Sequence, residues 1–86
     1  MQPIVVEARP LPGYRLWVRF ADGTMGEDDL SHLVGQGVFQ RWERPGEFER
    51  VRVDPDAGTV VWPGDLDIAP DALYERIASH APAPAG

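Results

Sequence analysis

Hydrophobic and polar positions alternate most cleanly from residue 14 to residue 20, Tyr-Arg-Leu-Trp-Val-Arg-Phe. Successive strand side chains point to opposite faces, so Tyr14, Leu16, Val18 and Phe20 share one face and Arg15, Trp17 and Arg19 the other. Ala21-Asp22-Gly23-Thr24 follows, and Asp-Gly supplies the positive φ angles of a tight hairpin turn. The chain is therefore expected to return as a strand over Thr24 to Asp28. Upstream, Ile4 to Ala8 reads as a β-rich run closed by Pro10, Pro12 and Gly13, which completes a three-stranded antiparallel meander.

Downstream the period changes. In Asp29-Leu30-Ser31-His32-Leu33-Val34 an acid stands ready to cap, and Leu30, Leu33 and Val34 have helical spacing until Gly35 and Gly37 end the turn. Pro45-Gly46-Glu47-Phe48 predicts a second short helical turn with Phe48 pointing inward. Val51 to Val53 and Thr59 to Trp62 flank Asp54-Pro55-Asp56-Ala57-Gly58, a loop fit for a second hairpin. Pro70 and Asp71 open a helix in which Leu73 and Ile77, flanked by Tyr74 and Ala78, make an apolar stripe that should close over the sheet. The links between strands are too short for parallel crossovers. The expectation is an α+β fold: a small antiparallel sheet, a three-stranded meander plus a hairpin, with short helical turns and one C-terminal helix. Residues 1–80 are expected to form a single domain. Residues 81–86, Ala-Pro-Ala-Pro-Ala-Gly, hold no large side chain to bury and are expected to be a disordered tail.

Composition narrows the chemistry. Leu, Ile, Val and Phe make up 21 of the 86 residues, above the roughly 20% below which strongly charged chains stay unfolded. With no Cys, disulfides, thiolate metal sites and cysteine nucleophiles are excluded. No apolar run is long enough to cross a bilayer, and Met1-Gln2-Pro3 lacks the basic and apolar regions of a signal peptide, so a cytoplasmic location without membrane contact is expected. Fourteen acids against eight arginines and no lysine give a net charge of −6. Such a balance repels phosphate backbones, argues against direct nucleic-acid binding and favours a cationic partner.

Catalytic and metal patterns fail in turn. Ser31-His32 and Ser79-His80 are adjacent pairs, which seldom reach triad geometry, and the chain has no Gly-x-Ser-x-Gly elbow. Asp54, Asp56 and Asp65 could stand at positions 1, 3 and 12 of a calcium loop, but Gly58 and Thr59 occupy the places of a ligand and an invariant glycine. No catalytic residue, metal or cofactor is expected, and the protein is read as not an enzyme. Trp17, opposite its strand's apolar face and between Arg15 and Arg19, either stacks under their guanidinium groups or offers an aromatic anchor to a partner. The candidate partner-binding set is Arg15, Trp17, Arg19, Glu27 and Asp28, the acids complementing basic groups on the partner. A second set, Trp42, Trp62 and Tyr74, could line a ligand pocket.

Several segments in order, Leu16 to Thr24, Asp29 to Leu33, Gly37 to Phe39, Phe48 to Val53, Gly58 to Gly64 and Asp67 to Asp71, resemble the bacterial and phage family catalogued as "domain of unknown function 2442". The resemblance spans about Ile4 to Ile77. It implies a small α+β domain like the N-terminal domain of a larger protein with a helix-turn-helix module behind it. Because this chain ends in Ala-Pro repeats, that module and its DNA-binding role are expected to be missing. The resemblance also implies a neighbouring gene for another small protein, an arrangement like a toxin-antitoxin pair. The expected function is thus a protein-binding domain, antitoxin-like, whose partner is a small toxin-like protein encoded nearby. The alternative is a small ligand-sensing or regulatory domain. Strand edges also leave room for self-association.

Overall fold

The computed structural model describes residues 3–80, the His80 side chain excepted; the expected tail at 81–86 lies outside the described residues. Two antiparallel three-stranded sheets, short 3-10 turns and one C-terminal helix make up the α+β fold. The first sheet is the predicted meander, β1 (Val5–Leu11), β2 (Arg15–Phe20) and β3 (Met25–Asp29), in that order across the sheet. The second is β4 (Arg52–Asp54), β5 (Thr59–Trp62) and β6 (Leu66–Asp67). The predicted hairpin therefore gains a third strand. β6 has only two residues, Leu66 and Asp67, too few to show an alternating pattern.

β1 runs past its expected end, through Pro10 to Leu11. It is an edge strand of its sheet, where a missing N–H can be tolerated. A bulge between Val5 and Glu7 resets the side-chain alternation. Without it, Val5, Glu7 and Arg9 would share a face. With it, Val5 and Ala8 turn to the core while Glu7 and Arg9 pair with Arg19 and Trp17 on the outside.

The turn chemistry is also redistributed. In the β2–β3 connection Gly23 alone has positive φ, at 93°, and Asp22 does not. The adjacent left-handed pair lies instead between β1 and β2, with Gly13 at φ 79° and Tyr14 at φ 59°. A tyrosine in that region is strained by roughly 1–2 kcal/mol. It is held by its hydroxyl, which donates to the Trp42 carbonyl at 3.1 Å, and by edge contact with Phe48 at 5.4 Å between ring centroids.

Asp29 accepts the Ser31 N–H at 2.9 Å just before the 3-10 turn Ser31–Leu33, but Leu30 holds the cap position and no side chain caps the turn, so the expected acidic cap is displaced by one residue. A 3-10 stretch over Gly37–Glu43 was not foreshadowed, because Gly35 and Gly37 read as stops. It carries Trp42 into the core. Phe48 opens the last such turn, Phe48–Arg50, and is buried.

One hydrophobic cluster joins the layers: Val5, Leu16, Val18 and Phe20 from the first sheet, Val60, Trp62 and Leu66 from the second, and Leu73 and Ile77 from α1 (Pro70–His80). α1 packs on β3, where a Cβ added to Gly26 would lie 2.9 Å from Cγ2 of Ile77. The absence of a side chain at 26 is thus what seats the helix.

A second tie fixes the helix start. The Tyr74 hydroxyl donates to Asp22 Oδ2 at 2.6 Å, while the Thr24 N–H donates to Oδ1 at 2.9 Å. These bonds, the Tyr74 bond first, hold the Asp22 carboxyl below its ordinary value of 3.8. A lowered folded value contributes stability that is complete above pH 3.8 and is lost as pH falls through the lowered value. In Tyr74→Phe, NMR titration of the Asp22 carboxyl carbon is expected to show a midpoint moved up toward the ordinary value. An unmoved midpoint would mean that the hydroxyl does not hold this carboxylate.

Candidate functional site

The outer face of the first sheet carries three rows of side chains across β1, β2 and β3: Glu7, Arg19 and Met25; Arg9, Trp17 and Glu27; Leu11, Arg15 and Asp29. Trp17 stands at the centre of this grid, half-buried. The guanidinium over its ring is that of Arg9, with Cζ 5.5 Å from the ring centroid. Arg15 and Arg19 lie along the same strand and turn elsewhere. Arg15 Nη1 meets Glu27 Oε2 at 3.0 Å and its Nε donates to the Pro12 carbonyl at 3.0 Å. Arg19 meets Glu7 Oε1 at 3.2 Å, and Arg9 takes the other Glu7 oxygen at 2.8 Å. Arg9 and Arg19, in that order, hold the Glu7 carboxyl below its ordinary range, as the Ser31 hydroxyl and N–H do for Asp29.

Of the five predicted partner-binding residues, the structure brings four, Arg15, Trp17, Arg19 and Glu27, onto this face. Asp28 does not belong with them. It pairs with Leu16 across the strands, so it points inward, where its buried carboxylate accepts Arg76 Nε at 2.7 Å. Neighbours on a strand face opposite ways, so Glu27 and Asp28 cannot serve one surface. Glu7 and Arg9, which sequence reasoning missed, do belong to the face. Only the bulge sends them there, and no residue in Val5 to Glu7 announces it.

The face is electrically balanced, with Arg9, Arg15 and Arg19 against Glu7, Glu27 and Asp29. The surplus lies elsewhere: Asp54, Asp56, Asp65, Asp67, Asp71 and Glu75 occur in a stretch with no basic residue, and outside it eight acids balance eight arginines. The acid excess is therefore a property of the second sheet's loops and the start of α1. Within it, Asp54 Oδ1 accepts the N–H groups of Asp56 and Ala57, which makes Asp54 a turn residue. Among the described residues no group of three or more His, Asp or Glu is placed to hold a metal ion.

The predicted pocket residues do not converge. Trp42 and Trp62 pack on each other at 4.8 Å between centroids and on Phe48, at 5.0 and 5.8 Å. Tyr74 is at the helix start, 5.0 Å from Phe20. Trp42 borders a hollow of about 130 Å³ with Pro12, Tyr14, Arg44 and Phe48. Trp62 borders another, about 270 Å³, with Arg52, Val61 and three aspartates, and Tyr74 lines neither. Large aromatics in a core this small pack against one another and fill its centre.

No helix among the described residues is long and apolar enough to cross a membrane. Neither the curated proteins nor the solved structures contain a match to this chain. The family described as "Protein of unknown function (DUF2442)" matches residues 5–79, which takes in both sheets and nearly all of α1. The chain belongs to the DUF2442 family.

Proposed function

We propose that this domain is a non-enzymatic protein-binding module that docks on another protein through the outer face of the first sheet. The observation that carries the reading is Trp17, held half-buried at the centre of a three-stranded face and ringed by three arginines. Tryptophan and arginine are the residues most often found to dominate binding energy, and here a rigid sheet sets their positions before any partner arrives. The ion pairs around Trp17 lie at the surface and are individually weak, so they can exchange for pairs with a partner at little cost. The family resemblance implies a finer version, in which this chain is the antitoxin-like member and acts by covering a small toxin-like protein. Such an action needs shape and no chemistry of its own.

Co-expression with the product of the adjacent gene, followed by size-exclusion chromatography, tests the reading. Co-elution is expected for the wild type. Trp17→Ala should keep the wild-type circular dichroism spectrum yet weaken capture by about 30-fold, the effect of losing a central aromatic anchor. Separate elution of the wild-type proteins, or undiminished capture by Trp17→Ala, would remove the basis for this docking face.

A further inference from the structure

We propose that β3 accepts an extended, basic segment of the partner along its open edge, which adds a fourth strand to the first sheet. This rests on the docking reading above and names the partner element involved.

The hydrogen-bond phase of the ladder shows which groups are free. The Phe20 N–H donates to the Thr24 carbonyl at 2.7 Å at one end of the β2–β3 pair, and the Leu30 N–H to the Tyr14 carbonyl at 2.9 Å at the other. Antiparallel ladders alternate, so the bonded pairs between those ends are Val18 with Gly26 and Leu16 with Asp28. The N–H and C=O groups of Met25, Glu27 and Asp29 therefore point away from β2. Among the described residues, no turn, loop or side-chain hydrogen bond engages them. α1 leaves this edge open, because it meets β3 through Ile77 at Gly26 and Arg76 at Asp28, both on the core face. Met25 is 50% exposed, and Glu27 and Asp29 are exposed beside it.

The opposite edge is closed. β1 carries Pro10 and the bulge, and it lies against β4 and β5, with the Val5 N–H donating to the Gly58 carbonyl at 3.0 Å. Sheet edges left bare invite pairing with another chain, and proteins commonly blunt them in these ways. Among the described residues, β3 has no such protection except charge.

That charge selects the occupant. A second copy of β3 laid antiparallel and centred on Glu27 would set Glu27 against Glu27, a like-charge pair that opposes self-association. A strand with Lys or Arg at alternate positions instead places cations beside Glu27 and Asp29, on the face that holds Trp17. Its backbone meets the free N–H and C=O groups in the manner of β-augmentation. The present bond from Arg15 to Glu27 is between two half-exposed groups and yields easily to a closer cation.

The test uses the full chain and two short capped peptides, one alternating lysine and valine and the other glutamate and valine. Amide exchange followed by NMR is expected to show the Met25, Glu27 and Asp29 N–H groups slowed about tenfold by the basic peptide and unaffected by the acidic one. Glu27→Pro removes an edge N–H that the ladder does not use, and Glu27→Lys reverses the charge; each should weaken the basic peptide about tenfold. Unchanged exchange at these amides, equal binding of both peptides, or dimerisation of the chain through β3 would overturn the proposal. Capture of the neighbouring gene product that survives both Glu27 variants but is lost in Trp17→Ala would overturn it too, while leaving the docking face intact. No capture by any version, with the amides still protected by the basic peptide, would instead fault the docking face alone.

Discussion

Trp62→Ala is expected to be the most damaging single change in the protein, with most of the chain unfolded at 37 °C. Trp62 is 3% exposed and packs on Trp42 and Phe48, and its indole N–H donates to the buried Phe48 carbonyl at 2.8 Å. Truncating such a ring costs about 3–5 kcal/mol in lost contacts and cavity. The unpaired carbonyl adds about 1–3 kcal/mol. A chain of this length has roughly 4–13 kcal/mol of stability in all, so the loss consumes much of it. Urea titration followed by circular dichroism measures the effect directly.

The two core tryptophans also provide an internal control. Trp42 is as buried as Trp62, but among the described residues its Nε1 has no hydrogen-bond partner. Replacing it with Phe removes a buried donor that is already unsatisfied, whereas Trp62→Phe breaks a made bond and strands an acceptor. The second change should therefore cost about 1–2 kcal/mol more than the first. Equal losses would show that the bond to Phe48 contributes nothing beyond packing.

Arg76→Ala is the second large effect. Arg76 Nε lies 2.7 Å from Asp28 Oδ2; the carboxylate side chain is 6% exposed and the arginine 37%. The two ends of the pair are thus unequal. An arginine that loses its partner can turn toward water, but a carboxylate fixed on the core face of β3 cannot. Removing the arginine is expected to cost about 3 kcal/mol, toward the low end for a broken buried pair because one member is partly hydrated. Asp28→Ala should cost less. The double variant Asp28→Leu with Arg76→Met, which removes both charges and keeps apolar volume, should recover most of the loss. Thermal melts of the four proteins would check this, and a double variant as unstable as Arg76→Ala would show that the carboxylate was never the source of the penalty.

Both effects concern residues whose sequence signal was ambiguous. Trp42 and Trp62 each end an apolar run before a Pro-containing turn, which favours core or loop packing but also fits the wall of a pocket. Burial distinguishes the two, and it depends on Phe48 arriving from a different turn. Asp28 is one of three consecutive acids, and composition alone makes such a run look like solvated surface. Its inward direction follows from the β2–β3 register, and its tolerance there from an arginine 48 positions further along the chain. By contrast, Arg15 to Phe20 could be read correctly because a strict period of two leaves little freedom for the backbone, although Tyr14, which continues the period, lies in the left-handed turn before the strand. The apolar stripe of Leu73 and Ile77 was legible for a similar reason, since helical spacing predicts which side must be covered.

The chain by itself determined the meander, the second hairpin, the turns near Ser31 and Phe48, the closing helix and the placement of Trp17 on the side away from the core. These are local consequences of side-chain period, of Pro and Gly positions, and of the need to bury apolar groups. Only the tertiary structure decided which charged groups surround Trp17. A bulge between Val5 and Glu7 carries Glu7 and Arg9 to the outer face, and strand register takes Asp28 away from it. It also decided that Trp42 and Trp62 pack together in the core while Tyr74 sits apart against Phe20. The physical reason is the same throughout: a one-residue change in pairing exchanges inside for outside, and its energy is settled by contacts between segments distant in the chain.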